Sequence, residues 1–104
     1  MDEYKVNVTK PAKADLREIL NYISFQLHAP EAAANTVRSI TASLDKLRIT
    51  ALMHPIVREE RLALRGYRLL IVKNYIAFYI VNEKEKTVEV DRIGYGRQDW
   101  KKIL

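Results

Sequence analysis

Tyr75-Ile-Ala-Phe-Tyr-Ile-Val81 decides the fold. All seven residues are apolar or aromatic, and Ile76, Ile80 and Val81 are β-branched, which suits a pleated strand. A strand with one wet face alternates with polar side chains. This one does not, so it is expected at the centre of a sheet with both faces covered. Just upstream, Tyr67–Val72 is a second apolar run, and Lys73-Asn74 between them suits a two-residue hairpin turn. Further upstream, Arg61–Arg65 alternates, with Leu62 and Leu64 on one face and Arg61, Ala63 and Arg65 on the other. That pattern predicts another strand, with Gly66 at a bend. Downstream, Glu83-Lys-Glu-Lys86 is a polar turn and Thr87–Tyr95 the last strand. Val88 and Val90 share a phase that Ile93 leaves, so a bulge is expected near Asp91–Arg92.

The first half has helical periodicity. In Ala12–Leu27, Leu16, Ile19, Leu20, Ile23 and Leu27 form one apolar stripe. Pro11 suits a first helical turn, where its missing N–H has no partner to lose. His28-Ala29-Pro30 breaks the pattern. A second helix is expected from Pro30 to about Ala51, because Ala33, Val37, Ile40, Leu44, Leu47 and Ala51 recur at alternating spacings of 4 and 3. So short a connection implies an antiparallel helical hairpin. Val6 and Val8 alternate with Lys5, Asn7 and Thr9, which predicts a strand over Glu3–Thr9. Gln98–Leu104 suits a short helix seated by Trp100, Ile103 and Leu104. The expected architecture over residues 1–104 is a single α+β domain: N-terminal strand, α-helical hairpin, four-stranded antiparallel sheet portion, short C-terminal helix.

Composition narrows the function. The chain has 104 residues, no Cys and two His, at positions 28 and 54. Thiol chemistry, thiolate metal sites and disulfides are excluded together, and no metal or cofactor is expected. No apolar run approaches the roughly 20 residues of a membrane span. The opening Met1-Asp2-Glu3-Tyr4-Lys5 lacks a basic-then-apolar signal pattern, so a cytoplasmic protein is expected. The formal net charge is +5, and residues 61–82 hold Arg61, Arg65, Arg68 and Lys73 without one acid. Such a stretch favours a polyanion or an acidic partner segment, although a surface tuned for solubility has the same composition.

The three glycines, at 66, 94 and 96, make neither a phosphate loop nor a dinucleotide turn. No serine nucleophile elbow or paired-His helix is present. What remains is Arg68 together with Arg92, Tyr95 and Arg97 around Ile93-Gly-Tyr-Gly-Arg97. Arginine grips phosphate through parallel hydrogen bonds, and tyrosine stacks on a base or moves a proton. Set against that chemistry is a purely structural or partner-binding role for the same four residues. Tyr22, Phe25, Tyr75 and Tyr79 are expected as core or rim aromatics, and Trp100 as packing for the C-terminal turns.

The chain resembles the RelE/ParE superfamily, the toxins of bacterial type II toxin–antitoxin modules. The resemblance lies in Ala14-Asp15-Leu16-Arg17-Glu18-Ile19 with Tyr22-Ile23, Leu47 with Pro55, and Arg68 with Asn74-Tyr75-Ile76-Ala77-Phe78-Tyr79. It ends in Val88-Glu89-Val90, Arg92-Ile93 and Tyr95-Gly96-Arg97-Gln98-Asp99. It implies a helical hairpin on an antiparallel sheet, with the N-terminal strand beside the last. It also implies growth inhibition, plasmid stabilisation, a cognate antitoxin as partner and indirect DNA binding through that antitoxin.

Two activities stay open. RelE-like members cut mRNA on the ribosome without a metal, as mRNA interferases. On that reading Tyr95, Arg68 and Arg97 are the catalytic candidates, and Arg61, Arg65, Lys73 and Arg92 the RNA contacts. ParE-like members poison DNA gyrase without nuclease chemistry. Ile76 stands where RelE-like nucleases often carry an arginine, and the C-terminal turns hold Trp100 but no Tyr. Both departures lean towards ParE. A third alternative is an inactive antitoxin-binding or co-repressor domain.

Overall fold

The computed structural model describes residues 3–104; Met1 and Asp2, which open the N-terminal reading above, lie outside the described residues. Two strands, β2 (Tyr67–Val72) and β3 (Tyr75–Asn82), pair antiparallel from Tyr67↔Ile80 to Val72↔Tyr75. Their turn is Lys73-Asn74, as its length predicts, and it is Lys73 that takes the left-handed φ of +56°. On the other side of β3 lies β4 (Thr87–Tyr95), also antiparallel. Phe78 faces Arg92 while Tyr79 faces Val90, so Asp91 is the extra residue of a bulge at the expected place. The bulge restores the phase of Val88, Val90 and Ile93, and all three are buried.

The N-terminal strand β1 (Lys5–Val8) lies beside β4, from Lys5↔Thr87 to Val8↔Val90. It runs parallel to β4, so the sheet is mixed, in the order β1-β4-β3-β2.

Residues 61–65 correct the expectation of a further strand. They belong to a short helix, α4 (Glu60–Leu64), so three strands and not four follow the helical hairpin. The Glu59 carboxylate accepts the Leu62 N–H at 2.9 Å and caps its start. That hydrogen bond is the main reason the Glu59 pKa is lowered. Gly66, at φ +84°, ends it with the left-handed residue that suits a helix C-terminus. Leu62 is 5% exposed and Leu64 82%, so the two leucines do not share a face. Leu62 joins Val57, Tyr67, Phe78 and Trp100 in a second, smaller core.

The helical half matches its periodicity with two local departures. Helix α1 (Lys10–Asn21) begins at Thr9, whose hydroxyl accepts the Ala12 N–H at 3.2 Å. Its last turns, Tyr22–Gln26, widen into π-helix before His28 at φ +52° reverses the chain. Helix α2 (Pro30–Asp45) breaks at Lys46 before a single further turn, α3 (Leu47–Thr50). The predicted seam of Ala33, Ile40, Leu44, Leu47 and Ala51 is buried, with Val37 packed against it.

This hairpin covers one face of the sheet, meeting Leu70, Ala77, Tyr79, Val88, Val90 and Ile93. Tyr79 is fully buried and donates its hydroxyl to the Ala51 carbonyl at 2.8 Å. On the other face α4 and a short C-terminal helix, α5 (Trp100–Ile103), contribute Leu62 and Trp100, and Trp100 packs on Phe78 with ring centroids 4.6 Å apart. Both faces of β3 are therefore covered, which is why Tyr75–Val81 has no polar alternation. Phe25, 71% exposed, leaves the core it was expected to join or border, whereas Tyr22, 55% exposed, stays at the rim, near Ile19, Tyr75 and Ile93. Among the described residues no helix is long and apolar enough to cross a membrane.

Candidate functional site

Strand β1 accompanies β4 only as far as Val90. There the Thr9 N–H donates to the Val90 carbonyl at 3.1 Å, its hydroxyl donates to the Asp91 carbonyl at 3.0 Å, and the chain turns into α1. The second turn of α1 lays Asp15 on the open edge of β4. Its carboxylate accepts Arg92 Nε at 2.8 Å, Arg92 Nη2 at 2.9 Å and the Ile93 N–H at 2.9 Å. Asp15 is 8% exposed, so three donors replace the water it gives up. Those hydrogen bonds raise the Arg92 pKa. Arg92, expected as an RNA contact, is thus partly buried and paired with Asp15. Asp15 was missed as a site residue, although its signal is legible: an acid on the apolar stripe between Ala12 and Ile19.

Other expected cations are engaged as well. Arg68 donates to the His54 carbonyl at 2.7 Å. Arg65 donates to the Leu104 carbonyl at 2.8 Å and lies 5.0 Å over the Tyr67 ring. Tyr67 donates to Asp91 at 2.5 Å, and burial followed by that bond pushes its pKa up to about 12. Arg61 is exposed, with only a loose approach to Glu59 at 3.8 Å. Lys73 sits exposed at the β2–β3 turn, and Arg97 is exposed in the loop after β4.

The catalytic candidates separate along the sheet. Arg68 faces Tyr79, whereas Tyr95 faces Tyr75 on the opposite side of β3. Four residues of strand are roughly 13 Å, and β3 itself lies between them. Tyr95 and Arg97 remain at one end of the sheet and Arg68 at the other.

Around Tyr95 lies an open groove of about 680 Å³ between the end of α1 and the edge of β4. Tyr95 is 44% exposed, and its ring meets that of Tyr75 edge-on with centroids 6.2 Å apart. Burial, then the neighbouring Tyr22 and Tyr95, raise the Tyr75 pKa. Glu18, Tyr22 and Leu27 line the helical wall. Among the described residues, no group of three His, Cys, Asp or Glu side chains is placed to hold a metal ion.

The family model described as the ParE toxin of the type II toxin–antitoxin system parDE matches residues 6–100. The chain belongs to the ParE toxin family. No curated protein sequence matches it. Among solved structures, the chromosomal ParDE system of P. aeruginosa is 24% identical, with 89% of this chain and 96% of that chain covered and a TM-score of 0.73. The RelBE2 toxin–antitoxin complex of Mycobacterium tuberculosis is 22% identical, covering 89% and 98%, with a TM-score of 0.62. The intact RelBE complex of E. coli is 16% identical, covering 91% and 99%, at 0.50. These likenesses establish a shared fold.

The Tyr95 groove of this ParE-family chain is poorly suited to a polyanion. Its lining includes Asp15, Glu18 and Arg92, a formal excess of one negative charge in a protein of net +5. Arg92 already faces a carboxylate. Holding phosphate near Tyr95 would fall to Arg97 from outside the groove.

Proposed function

We propose that this ParE-family chain is the growth-inhibiting toxin of a type II toxin–antitoxin pair. It acts in the cytoplasm, is neutralised by a cognate antitoxin, and poisons DNA gyrase rather than cutting mRNA. One observation carries the choice of target. The residues an RNA-cleaving site would use are dispersed, with Arg68 bound to the His54 carbonyl, Arg92 to Asp15, and Tyr95 beyond β3 from Arg68. Metal-free RNA cleavage needs its cations and its proton-transfer group around one phosphate. Gyrase poisoning needs only a binding surface.

The test pairs two assays on the purified chain. With gyrase, ATP and plasmid, it is expected to trap linear DNA after detergent and protease treatment. With translating ribosomes it is expected to leave mRNA intact. Codon-associated mRNA cuts without DNA breaks would overturn the gyrase reading. They would point instead to Tyr95 and Arg97, with Tyr95→Phe expected to slow cleavage on the order of 10²-fold or more if the hydroxyl moves a proton. Neither effect, with unimpaired growth on expression, would leave an antitoxin-binding domain without toxicity.

A further inference from the structure

We propose that the groove between α1 and the open edge of β4 receives an extended segment of a partner protein that carries one arginine or lysine between apolar side chains. The assignment is independent of which macromolecule the toxin attacks. It rests on a backbone edge, an aromatic cluster and a local charge.

The edge comes from the sheet itself. The Gly96 N–H bonds the Asn74 carbonyl on the β3 side, so strand alternation turns the peptide groups of Ile93 and Tyr95 the other way. Asp15 takes the Ile93 N–H, and the Tyr95 carbonyl accepts from Gln98. The Ile93 carbonyl and the Tyr95 N–H are left facing the groove, in the lane that β1 occupies farther along β4. A short extended segment laid there continues that lane and pairs with both groups.

The side-chain chemistry selects a cation. Tyr75 and Tyr95 are in ring contact and Tyr22 stands close by, so three electron-rich rings border the groove. Glu18 lines the same wall, and it leaves Asp15, Glu18 and Arg92 with their formal excess of negative charge. Leu27, 55% exposed, and Ile19 supply apolar contacts beside the rings. The edge of β2 is open as well beyond its bridge to Ile56, but Arg68 and Lys73 flank it. A basic segment is thereby directed to β4.

The probe is an acetylated, amidated pentapeptide, Val-Leu-Arg-Leu-Val, titrated into the full isotope-labelled chain while amide resonances are followed. Shifts are expected at Ile93, Gly94 and Tyr95. Replacing the peptide's arginine by neutral, near-isosteric citrulline is expected to weaken binding about threefold or more. The substitution Glu18→Gln, on an exposed position, is expected to shrink that difference while the amide spectrum otherwise stays folded. Four outcomes would overturn the proposal: shifts confined to the β2 edge, equal affinity for the arginine and citrulline peptides, no perturbation at millimolar peptide, or stronger shifts of the same amides by a short oligoribonucleotide.

Discussion

Asp15 joins α1 to β4 through one carboxylate. It fixes the direction of Arg92 and satisfies the Ile93 N–H where β1 departs. Removing one member of a buried pair strands the other charge in a low-dielectric site. Because the Arg92 side chain is 32% exposed, the cost is expected below the upper range for such pairs: about 3 kcal/mol for Asp15→Ala. Asp15→Asn is expected to cost less, since its amide oxygen still accepts from Ile93. Urea unfolding of the two variants checks the order. A second residue-scale prediction concerns alkali. Burial raises the Tyr79 pKa from 10.0 to about 12, so the neutral phenol is favoured in the fold. The resulting stability is fully present below pH 10.0 and is lost as pH rises through about 12, because the unfolded chain ionises first. Tyr79→Phe is expected to cost about 1 kcal/mol at neutral pH through the lost bond to Ala51. It should also flatten the decline between pH 10 and 12. Urea midpoints measured across that range test both effects.

At the scale of elements, α4 shows how five residues satisfy two periodicities. Arg61–Arg65 alternates as a strand would, yet the Glu59 cap and Gly66 close it as one helical turn. The assignments differ in their consequences. A strand places Leu62 and Leu64 on the same face, whereas the helix buries only Leu62. Leu62→Ala is therefore expected to cost about 2–3 kcal/mol, and Leu64→Ala to stay within about 0.5 kcal/mol. Equal losses in thermal or urea unfolding would contradict the helix. The C-terminal helix offers a further test. A Cβ added at Gly94 would stand 2.8 Å from the Trp100 ring, which also packs on Phe78. Gly94→Ala is expected to push Trp100 outward at a cost of about 1–3 kcal/mol. A red shift of the emission of this single tryptophan would report the move.

For the molecule as a whole, charge and shape act on different surfaces. The cations of the acid-free stretch are spread over both ends of β2 and divide by employment. Arg65 and Arg68 donate to the Leu104 and His54 carbonyls, Arg65 from an exposed position, whereas Arg61 and Lys73 are exposed and hold no carbonyl. Arg61 and Lys73, which hold no backbone carbonyl, are expected to do most to steer an acidic partner. The double variant Arg61→Glu, Lys73→Glu is expected to slow association with the cognate antitoxin about tenfold or more at low salt. The wild-type rate should fall towards the variant's as salt rises. Stopped-flow rates across ionic strength decide the point, and rates unchanged by salt or substitution would remove that surface from the contact.

Chain order, the helical hairpin and its seam, the hairpin turn at Lys73-Asn74, the bulge at Asp91 and the central place of β3 were all legible in the sequence. Each follows from the period of apolar residues, which backbone geometry fixes locally. Arg61–Arg65 was misread because five residues span too short a window to separate a period of 2 from one of 3.6; the packing of Leu62 with Tyr67 and Phe78, together with the Glu59 cap and Gly66, selects the helix. The candidate site was less legible for a different reason. Sequence names which side chains bear charge but not which partners neutralise them. Arg92 and Tyr95 are three residues apart and read as one constellation. Asp15, distant in the chain, then claims Arg92, and the register of β3 parts Tyr95 from Arg68. Such pairings arise only when the sheet closes and α1 crosses its edge, so the tertiary structure alone decided which charges remain for a partner.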